Sequence, residues 1–371
     1  MRLTAEQARS RRVRGQRLHE RAPRDAMLGV AGALCGVHAQ LMSSAELALW
    51  ARVEGLRPGD LGRALWEERT LVRTWAVRGT LHLLPASEFG LWLAALGTYR
   101  HYLRPSWFKA FGISPEELEA LIAAVSEALR DRTLTRTELA VQVTQVTGSP
   151  ELSAKLEESW GAYLKPAAFQ GHLCFAPSAG QNVRFTHPST WLAELEIADP
   201  GTAVAEVTRR YLHAYGPASR EDYGRWWGIS PAEALTRLRA LGDELTEVDV
   251  DGRRGFMLAA DAAEAAGREA TGSVRLLPAF DPYVVGSSRD DVDVLAAEHK
   301  ARVHRPQGWI SPVLLVEGRI EGVWRHERGG GRLAVEIRPF GAPGDDVRAA
   351  AEAEARRLSA FLGGELELTW S

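Results

Sequence analysis

Two polar side chains two positions apart, His38 and Gln40, follow a run of small and apolar residues from Ala26 to Gly36. Polar groups placed behind a buried run must find partners or face a cavity. Read alone, the pair also fits an ordinary helix C-terminus, where a His is favourable to the helix dipole. A second constellation is Arg73 and Arg78, which bracket a hairpin and have Trp75 between them. Guanidinium groups with an interleaved aromatic are the composition used for phosphate contact and base stacking. Strand alternation puts Arg73 and Trp75 on one face. Either both face a nucleic acid, or Arg73 sits at the edge of a core that Trp75 fills, and a large aromatic beside a helical body is usually buried. Arg325, beside Trp324, is a further pair of the same kind.

Other chemistries find no support. A Walker A loop needs Gly directly before Lys, and none of the four lysines (Lys109, Lys155, Lys165, Lys300) follows a Gly. There is no HExxH, and His299 and His304 share a helical face poorly, so neither a metal site nor a bound cofactor is expected. Cys35 and Cys174 are the only cysteines, which excludes a disulfide framework and a four-cysteine zinc site. No window is apolar enough to span a membrane. The Arg-studded N-terminus is not a secretory signal, so a cytoplasmic protein is expected. Net charge is −3 over 371 residues, but it is uneven. Residues 1–80 carry 14 Arg against 8 acidic residues, while residues 241–300 carry 6 basic against 13 acidic. A molecule with one anion-seeking end follows.

The elements that must position these residues form a repeat of helices followed by a hairpin. The first copy has helices near 4–20, 24–36 and 45–68, then strands at 71–76 and 80–84. The second opens at Ser114-Pro115-Glu116-Glu117, continues with a capping box at Thr135 and Glu138 and a helix over 151–169, and closes with a hairpin across 172–185. The third has helices at 201–214, from Ser219 to Trp227 and from Ser230 to Leu241, then a hairpin turning at Asp251-Gly252. Helices followed by a hairpin outline a winged helix, which places a helix in the major groove and a wing on the backbone. From about 272 short strands with tight turns replace this texture, including one through Gly308-Trp309-Ile310-Ser311-Pro312-Val313, and predict a small barrel or curled sheet. The fold class is therefore α+β. The expected domains are winged helices over 1–112, 113–198 and 199–270, and a C-terminal β-barrel-like domain over 271–371.

Four stretches carry a resemblance: Val37-His38-Ala39-Gln40, the run from Leu71 to Leu83, Ala279-Phe280-Asp281-Pro282-Tyr283 and Gly308-Trp309-Ile310-Ser311-Pro312-Val313. Together they resemble the winged-helix DNA glycosylase family typified by AlkZ and YcaQ. The resemblance implies three tandem winged helices and a C-terminal β-barrel, C-shaped around DNA. The family's catalytic motif, Gln-apolar-Gln, falls on His38, Ala39 and Gln40, so the first member departs from the founding pattern. The implied reaction is hydrolysis of the glycosidic bond of N7-alkylguanine in double-stranded DNA, including bulky antibiotic adducts and crosslinks. The implied context is base-excision repair or self-resistance. Gln40 would hold the water and His38 accept its proton, with Arg73, Arg78 and Arg325 on the DNA. The lysines lie far from the motif in sequence, so a monofunctional enzyme is expected, and a glycosylase of this kind is expected to be a monomer. A winged-helix transcription regulator without catalysis is the alternative. It would bind a palindromic site as a dimer.

Overall fold

The computed structural model describes residues 1–158, 161–265 and 272–371. The chain divides into two compact units, Met1–Leu61 with Thr208–Ser371, and Gly62–Val207.

In the unit Gly62–Val207, strands Leu71–Trp75 and Leu81–Pro85 form an antiparallel hairpin with Arg73 opposite Leu83 and Trp75 opposite Leu81. The tight link between them uses left-handed backbone at Arg78 (φ 55°) and Gly79 (φ 66°). Helix Pro115–Leu129 starts at the Ser114 cap read from the sequence, which the structure shows to be a full capping box: Glu117 N–H donates to Ser114 Oγ at 3.1 Å, and Ser114 N–H donates back to the Glu117 carboxylate at 2.7 Å. Helix Arg136–Thr147 starts on the Thr135–Glu138 box in the same way. The helix expected over 151–169 is instead two pieces, Pro150–Glu158 and Lys165–Phe169; residues 159–160 lie outside the described residues. Strands Thr133–Thr135, Asn182–Thr186 and Cys174–Ala179 then make a three-stranded sheet in that order.

In the other unit, the helix expected over 45–68 is broken. Met42–Trp50 ends, and the next helix begins only at Asp60. Two left-handed glycines, Gly55 (φ 69°) and Gly59 (φ 90°), turn the chain between them. The hairpin Leu245–Val250 and Arg253–Leu258 turns at Asp251-Gly252. It gains an edge that sequence reading missed: Arg2–Leu3 pairs with it in parallel, Arg2 against Asp249.

The last five strands lie in the order Val274–Leu277, Val313–Val316, Arg319–Gly329, Arg332–Pro339, Glu365–Trp370. Among the described residues the first and last do not pair, so the sheet is open and not a closed barrel. The reason lies in the connection before the final strand. Helix Asp345–Leu362 carries the chain across to a parallel pairing and packs against both the first and the last strand. The strand expected from Gly308 begins only at Val313; Pro312, which lacks an N–H, precedes it, and Pro306–Gly308 is a helical turn.

Candidate active site

Helix Met27–Ala33 has mostly small and apolar residues and ends at Leu34, whose carbonyl accepts the Tyr215 hydroxyl at 2.9 Å. Cys35 (φ 61°) and Gly36 (φ 88°) then both adopt left-handed backbone. Their N–H groups donate to Gly32 and Ala31 carbonyls and close the helix end. The chain leaves extended, so His38 lies in the short strand Val37–His38 and not on a helix C-terminus. Val37 and Ala39 are fully buried and His38 is 8% exposed. Gln40 is exposed. One segment thus buries an imidazole and presents an amide to solvent two residues later.

His38 stacks on Phe280, ring centroids 5.4 Å apart and planes 15° from parallel. Phe280 itself has a positive φ of 58°. A bulky residue there is strained, at a cost of about 1–3 kcal/mol, and persists only when its surroundings over-determine it. The next residue supplies that constraint. Asp281 is fully buried, and both its oxygens are held by the equally buried Arg52, at 2.7 and 2.8 Å. Asp281 also accepts from Tyr283 N–H at 2.9 Å. Arg52 in turn donates to the Ala48 carbonyl at 2.8 Å and to Gln16 Oε1 at 3.2 Å. Trp309 also meets the Phe280 ring edge-on, at 5.1 Å. Two of the resembling stretches, around Phe280 and around Trp309, therefore converge on the first member of the motif.

Arg325 belongs to the same unit, on strand Arg319–Gly329 opposite Glu336. It is ion-paired with Glu336 and lies 3.9 Å from Glu327. Hydrogen bonds from Arg338, Ser371 and Arg325 hold the Glu336 carboxyl down at about 2, so Arg325 would have to exchange a carboxylate for a phosphate. Its neighbour Trp324 is core, donating its indole N–H to the Leu277 carbonyl at 2.8 Å.

Arg73 and Arg78 belong to the other unit. Trp75 is 6% exposed and packs on Phe175 and Phe185. Arg73 is half-buried, with its guanidinium 5.0 Å over the Phe175 ring, and burial lowers its pKa. It sits at the edge of the core that Trp75 fills, the second of the two placements open from sequence. Arg78 is exposed at the hairpin turn, where its N–H donates to the Tyr99 hydroxyl at 3.0 Å. The two arginines therefore differ in what they can offer DNA. Arg78→Ala should flatten the log–log salt dependence of DNA binding by about one unit, the value for one lost phosphate contact. Arg73→Ala should change that slope less and stability more. Equal slopes for wild type and Arg78→Ala would take the hairpin turn off the DNA.

The family model for AlkZ-like DNA glycosylases matches residues 31–361. The chain belongs to the AlkZ-like DNA glycosylase family. It is therefore an enzyme of the DNA glycosylase class. It is 38% identical over 301 residues to an interstrand DNA cross-link repair glycosylase of Streptomyces sahachiroi, across 80% of this chain and 81% of that protein. It also superposes on the solved structure of the Streptomyces sahachiroi DNA glycosylase AlkZ with a TM-score of 0.91 and 35% identity, covering the whole of both chains. No helix among the described residues is long and apolar enough to cross a membrane. For an AlkZ-like glycosylase, the residues that sequence reading passed over are Arg52 and Phe280. Phe280 stood inside a resembling stretch. Arg52 carried no local signal, because its partner Asp281 is 229 positions away.

Proposed function

We propose that this chain hydrolyses the N-glycosidic bond of N7-alkylguanine in double-stranded DNA, bulky adducts and interstrand crosslinks included, and leaves an abasic site. One observation carries the reading: a buried, ring-stacked His38 in the short strand Val37–His38 and an exposed Gln40 in the bend just after it lie two residues apart in a stretch that contains no carboxylate. Asp281, the carboxylate adjoining Phe280, has both oxygens bound to Arg52 and is committed to holding the fold.

Without a strong base in the segment, the leaving group must already be good. N7-alkylguanine is cationic, and its bond to the sugar breaks toward an oxocarbenium-like transition state. Placing a water and stabilising charge is then enough. Gln40 holds the water by its amide oxygen. The water oxygen bonds to C1′ as the C1′–N9 bond breaks, and that electron pair neutralises the departing base. The water's proton passes late to the imidazole of His38, the side-chain type best suited to take a proton near neutral pH. Stable, unmodified bases are left alone because catalysis is weak. Lys300 is the only lysine of the unit that holds His38, and it is ion-paired with Asp290 at 2.6 Å. This supports a monofunctional enzyme without a Schiff base.

Helices followed by a hairpin recur three times, at 71–85, 174–186 and 245–258. This supports winged-helix modules over 1–112, 113–198 and 199–270, with a sheet domain from 271; residues 266–271, at the last boundary, lie outside the described residues. The relative's crosslink-repair name supports crosslinks as substrates.

The test is an oligonucleotide duplex carrying a single N7-methylguanine, incubated with the purified protein and then treated with alkali. Breaks at the lesion alone are expected. Tight binding to an undamaged palindromic site as a dimer, with no breaks, would instead mark a transcription regulator.

A further inference from the structure

We propose that Trp309 is the aromatic surface on which the alkylated base rests in the bound complex, and that its π face selects that base by its positive charge. The inference rests on the reading of the lesion given above. Trp309 is 45% exposed, although an indole is among the costliest side chains to leave in water. It is not on a loose segment. Gln307 (φ 58°) and Gly308 (φ 77°) are both left-handed and form a tight turn. Arg305 N–H donates to the Trp309 carbonyl at 2.8 Å, Trp309 N–H to the Pro306 carbonyl at 3.3 Å, and Ser311 N–H to the Val303 carbonyl at 2.9 Å. A braced turn therefore holds an indole in solvent.

The indole is also placed by the catalytic motif. It meets Phe280 edge-on at 5.1 Å, and Phe280 stacks on His38 at 5.4 Å. Three rings from distant segments form one series that starts at the motif His and ends at an exposed indole. The same turn carries the exposed Arg305, a cation able to meet backbone phosphate.

The chemistry of the lesion fits this surface. Of the aromatic side chains, Trp binds a cation over its face most strongly. A guanine alkylated at N7 is a flat cation, whereas the unmodified bases are flat and neutral. The contact therefore discriminates between them where apolar contact alone would not. Its place in the reaction follows from the electron flow. Positive charge leaves the base as the glycosidic bond breaks, so the contact is stronger before the transition state than in it. It strengthens binding of the lesion and, because it weakens toward the transition state, does not speed the chemical step.

The measurement is single-turnover excision of N7-methylguanine from a duplex, with enzyme concentration varied for wild type, Trp309→Phe and Trp309→Leu. Trp309→Leu should raise the half-saturating enzyme concentration by roughly fivefold to tenfold, as for a partly desolvated cation–π contact. Its plateau rate should be no lower than wild type, because the lost contact favoured the ground state, and its affinity for undamaged duplex should stay near wild type. Trp309→Phe keeps a π face and should stay within about twofold to threefold on both measures. Two results would overturn the inference: a Leu variant that saturates like wild type, or Leu and Phe variants weakened equally, which would make Trp309 a mere apolar filler. A wild-type protein that excises nothing would instead defeat the reading of the lesion.

Discussion

Gln40→Ala is expected to lower the single-turnover excision rate at saturating enzyme by roughly 10²-fold, the scale of a lost positioning or acid–base group. DNA affinity should change little, because Gln40 is assigned to a water and not to phosphate. His38→Ala should do similar harm. The double variant should be less than additive, since both residues act on the same water and the second removal finds it already lost. The two differ in a second respect. Gln40 is exposed, so its loss leaves stability near wild type. His38 is buried on Phe280, so His38→Ala opens a void and also lowers the unfolding midpoint. Wild-type rates in both alanine variants would remove the motif from the chemistry.

The largest expected effect on stability comes from the support of the site. Arg52 and Asp281 are both fully buried and paired through two hydrogen bonds. Arg52→Met leaves the Asp281 carboxylate buried and unpaired, and should destabilise the protein by about 3–5 kcal/mol. Arg52→Met with Asp281→Asn removes both charges and keeps an oxygen to accept the Tyr283 N–H, so it should recover part of the loss. Urea unfolding of the three proteins reads this directly. A loss below about 1 kcal/mol for Arg52→Met would mean the pair behaves like an exposed surface bridge. The pair also bears on function. Asp281 follows the strained Phe280 and fixes the backbone that presents its ring to His38. Variants that survive the loss of Arg52 should therefore excise more slowly than their stability alone accounts for.

What could be read from the sequence was what local chemistry decides. The Ser114 N-cap and the Thr135–Glu138 capping box are decided within three residues and form as read. The Asp251-Gly252 turn brings Leu245–Val250 and Arg253–Leu258 together, as its residue types predict. The AlkZ-like family membership was legible in four short stretches, because their residue types are unusual in combination. What failed was set by distant partners. A helix through 45–68 was a fair reading of the periodicity, but Arg52 leaves the helix beside it to meet a carboxylate 229 positions on. Short strands and tight turns left a small barrel and a curled sheet both open, and only helix Asp345–Leu362, packed on the first and last strands, decides for the open sheet. Trp309 read as a strand residue because Ile310 and Val313 near it are β-formers; the left-handed pair Gln307 and Gly308 makes it the tip of a turn. Arg73 and Trp75 show the middle case. Alternation put them on one face, and only the positions of Phe175 and Phe185 told which face that was.

The account turns on His38 as the group that takes the water's proton, and one profile tests it. The plateau single-turnover rate on N7-methylguanine duplex is measured from pH 5 to 8, a span of about three units around the imidazole's ordinary pKa, for wild type and His38→Gln. A protonated His38 cannot accept a proton, so the wild-type rate should fall on the acid side of the profile. His38→Gln restores the Gln-apolar-Gln pattern with a side chain that does not titrate. It should retain activity and lose the fall on the acid side. An unchanged acid limb in His38→Gln would contradict this role and place the titrating base elsewhere.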